Sequence, residues 1–325
     1  MSIINWGIIG CGDVTEKKSG PAFNKVPNSK LIAVMRRDAA KAADYARRHG
    51  VSKWYSDADA LMNNPDINAI YIATPPSSHL SYALTALKKG FNVYVEKPVT
   101  RNAAEAQQMA DAVAESGNKL VVAHYRRAQP MFLYIKDLID RKVIGDILTV
   151  EIKMRQSAQP ALVANSAENW RVQPDQSGGG YFHDLAPHQL DLMLFYFGVP
   201  EHYAGFSLNQ TNRYPADDLV TGHILFPNKI ALTGTWSFNV PENEVTDQCE
   251  FIGTKGSISF PFFGHSVSWR NENKEEFLNF PPLEHVQQPM IEQVVKYFNG
   301  EAANPNPIEE AVEVMKIMDA FSTHQ

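Results

Sequence analysis

At 325 residues the chain exceeds what one hydrophobic core usually organises, so two domains are expected. Apolar residues at 44% and charged residues at 20% are the proportions of an ordinary globular protein and exclude a disordered chain. A formal charge of -6 and an isoelectric point near 5.9 exclude the broad basic surface that nucleic acid or an anionic membrane would require of its main partner. Cys11 and Cys249 lie far apart and match no metal-ligand spacing, which points to free thiols in a reducing compartment. The apolar run 3–9 is short, broken by Asn5 and Gly7, and lacks a basic leader, so no signal peptide is expected. No stretch approaches the ~18 apolar residues of a membrane span. The expected location is the cytoplasm.

Residues 3–9, 30–35, 68–73, 91–95 and 119–123 are short, continuous apolar runs, the pattern of strands covered on both faces. Helical patterns fill the intervals at 39–49, 58–63, 79–89 and 103–115, and Gly50, Gly90 and Gly117 supply stop signals. Such alternation predicts a doubly wound parallel sheet of the Rossmann type over residues 1–123. The first strand runs into "GIIGCGDVTEKKSGP", residues 7–21. In that setting Gly10 permits the turn and Gly12 lets backbone N–H groups approach a pyrophosphate, so Gly10, Cys11, Gly12, Asp13 and Val14 are read as a dinucleotide loop. Thr15 stands where a third glycine would serve helix packing, and Gly20-Pro21 predicts a short or interrupted first helix. Lys17, Lys18 and Ser19 then lie either near the crevice or in an ordinary solvated turn.

The second strand ends at Met35-Arg36-Arg37-Asp38. An acid at the strand tip holds the ribose of NAD, whereas arginine forks bind the 2'-phosphate of NADP. Arg36 and Arg37 therefore favour NADP, with NAD still possible through Asp38.

After 123 the pattern changes. A helix over 131–141 precedes residues 147–156, where Leu148, Val150, Ile152 and Met154 alternate with polar residues, as in a strand with one buried face. Similar runs follow at 202–208, 219–226, 230–238, 248–252, 257–261 and 266–270, with "FPNKI" and "GTKGS" as hairpin turns. Helices are expected over 184–197, 288–298 and 307–321. Residues 124–325 thus read as an α+β domain, with an open, largely antiparallel sheet carrying helices on one face and a surface for self-association on the other.

Two motifs go beyond generic dinucleotide binding: "EKPVT" after the fourth strand, at Glu96-Lys97-Pro98, and "SGGGYFHDLAPHQLD" at 177–191. With "GIIGCG", "ATPPSSH" (73–79) and "NWRVQPDQSGGG" (169–180), they resemble the glucose-fructose oxidoreductase / inositol dehydrogenase (Gfo/Idh/MocA) family from Trp6 to about Gly256. Thr15 departs from the family's small residue after the glycines. The resemblance implies a two-domain NAD(P)-dependent oxidoreductase acting on sugars, polyols or related cyclic hydroxy compounds, with a homodimer or homotetramer built through the C-terminal sheet. It further implies that Lys97 projects into the active site on a cis or otherwise constrained Lys97–Pro98 peptide, and that Asp184 and His188 are the family's Asp and His. Thr74, Pro75 and His79 fall in the cofactor set.

Hydride transfer leaves the hydroxyl proton to the protein. His188, with an ordinary pKa near ~6.5, is the candidate acid/base, and Asp184 shares its helical face four residues earlier. The competing reading has Asp184 capping the helix and His188 in the core. Lys97 can donate to the substrate oxygen and stabilise an alkoxide. Glu96 either bonds the nicotinamide ribose or pairs with Lys97. Tyr125, Arg126, Trp170 and Arg171 are read as walls for a polyhydroxylated ligand or as ordinary packing. His183, Asp184 and His188 have metal-ligand chemistry, but hydride transfer needs no metal and no further ligand clusters with them. Two other functions share these residues: a glycosidase or epimerase that oxidises its sugar transiently on a retained nucleotide, and a non-catalytic sensor of NADP or sugar.

Overall fold

The computed structural model describes residues 2–163 and 169–322. The chain divides into two compact units: one runs to Ala128 and takes up Leu283–Val312, and the other comprises Gln129–Pro282 and resumes at Glu313. The expected single cut between 123 and 124 misses this exchange. Its physical basis is the helix Gln288–Phe298, whose Met290, Ile291, Val294, Val295 and Phe298 join the same core as Trp6, Phe23, Tyr71 and Tyr94.

In the first unit, six strands are described: β1 (Ile4–Ile9), β2 (Ser29–Met35), β3 (Lys53–Tyr55), β4 (Ala69–Ile72), β5 (Asn92–Val95) and β6 (Leu120–Val122). They form one parallel sheet in the order β3-β2-β1-β4-β5-β6. The order reverses between β1 and β4, and in such sheets ligands bind outside the carboxyl ends of the strands at that switch point. β3, a three-residue edge strand without an apolar run, leaves no signal in the sequence.

In the second unit, β7 (Ile147–Arg155), β8 (His202–Leu208), β9 (Leu219–Phe226), β10 (Ile230–Ser237), β11 (Thr246–Gly253), β12 (Gly256–Phe260), β13 (Ser266–Asn271) and β14 (Glu275–Asn279) make a sheet in the order β14-β13-β12-β11-β7-β10-β9-β8. Only the central β7 and β10 pair is parallel among these strands; the others are antiparallel. Val150, Ile152 and Met154 of β7 are buried as the alternation predicts, whereas Leu148, expected on the same buried face, is exposed near the start of the strand. Helix Gly180–Phe197 is buried on nearly every side, with Phe182 edge-on to Trp236 at 5.2 Å and Tyr196 edge-on to Phe251 at 5.9 Å. β14, sequence EEFLN, is the second strand without a sequence signal, because charge occupies the positions where an apolar face would be read.

Candidate active site

The turn after β1 is closed from β2: Gly10 N and Cys11 N both donate to Met35 O, at 2.9 and 3.1 Å, and Gly12 N donates to Gly10 O at 2.8 Å. Gly10 has φ +96, and a Cβ there would stand 2.8 Å from the Ala73 carbonyl carbon, so only glycine fits against β4. Beside Gly12 a Cβ would meet nothing nearer than Gly10 O at 4.0 Å. No side chain caps the helix Asp13–Lys17, and helix geometry leaves the N–H groups of Asp13 and Val14 without an intrahelical acceptor. An open backbone cradle with outward N–H groups suits the pyrophosphate of a dinucleotide.

Thr15 is buried, and its N and Oγ1 both donate to Gly12 O, at 3.0 and 2.7 Å. The close approach usually made at the third glycine is made by Gly20: a Cβ there would lie 2.2 Å from both Thr15 O and Tyr45 Oη. The helix accordingly stops, and a 3-10 turn runs over Gly20–Asn24. Lys17 and Lys18 are exposed, while their carbonyls accept from His285 Nδ1 at 2.6 Å and Gln287 N at 3.1 Å. The solvated reading therefore holds for both lysines, and Ser19 is buried. Burial pushes the Cys11 thiol up to about 11, so this residue contributes its backbone and its packing rather than a thiolate.

At the end of β2 the two arginines diverge. Arg36 turns back on the glycine turn, Nη1 donating to Cys11 O at 3.3 Å. Arg37 is exposed and lines a separate cavity of about 240 Å³ with Ser56, Asp57, Tyr82 and Thr85. The carboxylate of Asp38 is committed elsewhere: it caps helix Ala39–His49 by accepting from Lys41 N at 3.1 Å and pairs with Lys41 Nζ at 3.4 Å.

The ends of β4 and β5 are fastened together by His79. Its Nε2 lies 2.7 Å from Thr74 O, and its Nδ1 lies 3.0 Å from Pro98 O and 3.2 Å from Val99 O. The ring is fully buried, and desolvation lowers its pKa. His79 was expected as a cofactor contact; both ring nitrogens are instead turned to backbone carbonyls, so it positions the loop carrying Thr74 and Pro75. Ser78 Oγ holds the same loop through Thr74 Oγ1 at 2.8 Å and Pro75 O at 3.0 Å. The Lys97–Pro98 peptide is cis. Lys97 is half-buried, whereas Glu96 is buried with Oε1 accepting from Tyr71 Oη at 2.5 Å and from Gln287 Nε2 at 2.6 Å. Neither Tyr71 nor Gln287 stood out in the sequence; Tyr71 reads as one more apolar residue of a buried strand, and Gln287 carries no local signal. Tyr125 and Arg126 follow β6 in a buried 3-10 turn, with the guanidinium 5.7 Å from the Tyr125 ring centroid.

In the second unit, Ser177 Oγ accepts from Gly180 N at 3.1 Å and Gly179 N at 3.3 Å, so the long helix begins at Gly180 rather than at 184. Asp184 therefore lies inside the helix, which removes the capping alternative. A Cβ on Gly179 would stand 2.3 Å from the His183 ring, packed beneath the glycines. Burial drives the pKa of His183 down to about 4, keeping this imidazole neutral. Asp184 accepts from Arg171 Nε at 3.1 Å in a largely buried ion pair, and the Arg171 guanidinium stacks 4.6 Å from the Trp170 ring centroid. The sequence placed Trp170, Arg171 and Asp184 in one candidate set without showing that they touch. His188 lies one helical turn beyond Asp184, 3% exposed, with its ring edge-on to Phe263 at 5.9 Å.

Residues 4–124 match the oxidoreductase family with an NAD-binding Rossmann fold, GFO/IDH/MocA, and residues 132–259 match the GFO/IDH/MocA C-terminal domain. Oxidoreductase P35 of Formosa agariphila is 50% identical over 320 residues, which cover 98% of each chain. Among solved structures, a levoglucosan dehydrogenase in complex with NADH aligns with a TM-score of 0.87 at 22% identity, covering 98% of this chain and 95% of the other. A 3-ketoreductase from Actinomadura kijaniata in complex with TDP-benzene and NADP aligns with a TM-score of 0.82 at 20% identity, covering 98% and 96%. Among the described residues no helix is long and apolar enough to cross a membrane.

Proposed function

Because the chain belongs to the GFO/IDH/MocA oxidoreductase family, with an NAD-binding Rossmann domain, we propose that it moves a hydride between NADP and a hydroxyl or carbonyl carbon of a sugar, polyol or related cyclic hydroxy compound. The observation that carries the nucleotide choice is the pairing of Arg36 with the glycine turn while Asp38 is occupied as a helix cap. A guanidinium at that corner attracts a 2'-phosphate, and the Asp38 carboxylate, paired with Lys41 at the helix start, has part of its charge offset and is held away from a ribose diol. Arg37, turned into its own cavity, is the lesser contributor.

The nicotinamide, when bound, supplies the hydride acceptor or donor. The chain supplies the rest in this reading. Gly10 to Val14 seat the pyrophosphate, and Glu96 contacts the nicotinamide ribose. Lys97 Nζ donates to the substrate oxygen and stabilises negative charge there. His188 takes the hydroxyl proton on a ring nitrogen during oxidation and returns it during reduction. Asp184, held by Arg171, orients a substrate hydroxyl, and the Trp170 ring offers an apolar face to a sugar ring. The levoglucosan dehydrogenase and 3-ketoreductase likenesses support hydroxy-ring chemistry as the substrate class. Self-association through the second sheet is part of the proposal, since its register puts the exposed Phe206, Leu208, Ile252 and Phe277 on one face.

Titration with NADPH and NADH, with wild type and Arg36→Ala compared, tests the nucleotide assignment. Loss of one charge-assisted contact should weaken NADPH by roughly tenfold to a hundredfold and NADH by far less. Equal weakening of both would remove Arg36 from phosphate recognition. Turnover assays on sugars and polyols then test the reaction; a tightly retained nucleotide with no net turnover would replace it by the transient-oxidation reading.

A further inference from the structure

The buried polar chain beneath Glu96 joins Ser19 and Glu96 to Tyr71, Tyr94 and Gln287, which carry no signal in the sequence. Ser19 Oγ lies 3.0 Å from Tyr71 Oη, Tyr71 donates to Glu96 Oε1, Gln287 Nε2 donates to the same oxygen, and Tyr94 Oη donates to Gln287 Oε1 at 3.1 Å. Gln287 is wholly buried and comes from the segment that returns to this unit 191 positions after Glu96. Its backbone is fixed independently, with Gln287 N donating to Lys18 O at 3.1 Å just after the interrupted first helix. Its amide has one permitted orientation: the Glu96 carboxylate only accepts, so the NH2 group faces Glu96 and the carbonyl oxygen is left to accept from Tyr94 Oη.

Both donors converge on one oxygen of the carboxylate. Among the described residues none donates to Glu96 Oε2. A carboxylate only accepts, and Oε2, unlike the buried polar atoms of this unit that lack a partner, is reached by solvent and so is open to a donor from a ligand. We propose that Gln287 is a positioning residue for cofactor binding: by holding Glu96 Oε1, together with Tyr71, it turns Oε2 toward the nicotinamide nucleotide. The break at Gly20-Pro21 belongs to the same device. By ending the first helix it leaves Lys18 O free to accept from Gln287 N and buries Ser19 against Tyr71. The proposal rests on the reading that Glu96 contacts the nucleotide, and the experiment separates the two.

The dissociation constant for NADPH is measured by tryptophan quenching for wild type, Gln287→Leu, Glu96→Gln and the double variant. Gln287→Leu should weaken binding about tenfold, the scale of one hydrogen bond to a charged group. The double variant should bind no worse than Glu96→Gln alone, because Gln287 acts only through Glu96. Equal and additive losses would overturn the proposal, since a purely structural glutamine would weaken both backgrounds alike. Gln287→Leu within twofold of wild type, with Glu96→Gln clearly weakened, would overturn it while sparing the Glu96 assignment. An unaffected Glu96→Gln would overturn both.

Gln287→Glu adds a readout that does not depend on a hydrophobic replacement folding well. At lower pH the carboxyl pair shares one proton and Glu at 287 can donate as the amide does; at higher pH two carboxylates repel and Glu96 is displaced. Affinity relative to wild type should therefore fall as pH rises. The other groups near Glu96 do not mimic this. Tyr71 and Tyr94 have pKa values pushed well above 10 by burial, His79 is pushed below 6.5 by burial, and Lys97 is unchanged between the two proteins. A pH-independent ratio would refute the positioning role.

Discussion

Gly20→Ala and Gly12→Ala should separate packing from ligand approach within one loop. At Gly20 the new methyl would lie 2.2 Å from Thr15 O and 2.2 Å from Tyr45 Oη. The tyrosine can swing away, but the carbonyl is backbone and moves only with the helix Asp13–Lys17. Overpacking of this kind costs about 1–3 kcal/mol. Displacing the buried Tyr45 hydroxyl, which donates to Thr15 O at 2.8 Å, adds about 1–3 kcal/mol for the lost bond and the orphaned carbonyl. The sum, about 2–6 kcal/mol, corresponds to a fall in Tm of roughly 5–20 °C for a unit of this size. At Gly12 the methyl would have no neighbour nearer than 4.0 Å, so Tm should stay within about 2 °C while NADPH affinity drops at least about tenfold, because the cradle is narrowed. Thermal unfolding by circular dichroism, with nucleotide titration on the same preparations, reads both effects. A Gly20→Ala protein that melts with wild type would refute the assignment of the third-glycine role to Gly20. Equal destabilisation by both substitutions would refute the open cradle at Gly12.

His188→Ala should reduce turnover by at least about a hundredfold, the contribution of a general acid/base, with NADPH affinity close to wild type; full turnover would remove His188 from proton transfer. Arg171→Leu leaves the Asp184 carboxylate without the guanidinium that fixes it, and should raise KM and lower kcat on the hydroxy substrate without changing nucleotide affinity, measured by steady-state kinetics and fluorescence titration. Glu16→Gln concerns acid stability. Hydrogen bonds from Arg48 first, then from His49, lower the pKa of Glu16 from 4.5 to about 2. A depressed carboxylate stabilises the fold above its unfolded pKa and loses that contribution as pH falls through the folded one, so the Tm gap between wild type and Glu16→Gln should be full above pH 4.5 and close toward about pH 2. A gap that is constant through that window would assign the effect to packing rather than charge.

What was legible in the sequence follows from how far each signal reaches along the chain. Buried parallel strands announce themselves because both faces are covered, and five of the six strands in the first sheet were read on that basis; Lys53–Tyr55 was not, since three residues at an edge need no apolar run. Gly20-Pro21 could be read as a break because both residues act on their own backbone. That Gly20 also replaces the third glycine could not be read, since the clash that requires it involves Tyr45, twenty-five residues on. The same limit governs the candidate site. Asp184 and His188 share a face by helical spacing alone, whereas the partner of Asp184 is set by how the 3-10 turn Trp170–Val172 lies along the helix. His79 looked like a ligand residue because it follows a strand end, and the sequence holds no trace of the three carbonyls that surround it. Gln287 is the extreme case: an unremarkable polar residue before an amphipathic helix becomes a fixed donor to Glu96 only because its segment returns to the first unit. Side chains whose meaning depends on a partner nearly two hundred residues away are invisible to periodicity and motif alike, and both contacts of Gln287 beneath Glu96, to Glu96 and to Tyr94, are of that kind. Functional positions in this chain divide accordingly: the groups proposed to touch the nucleotide are carried by short motifs, and the groups that aim them are carried by tertiary structure.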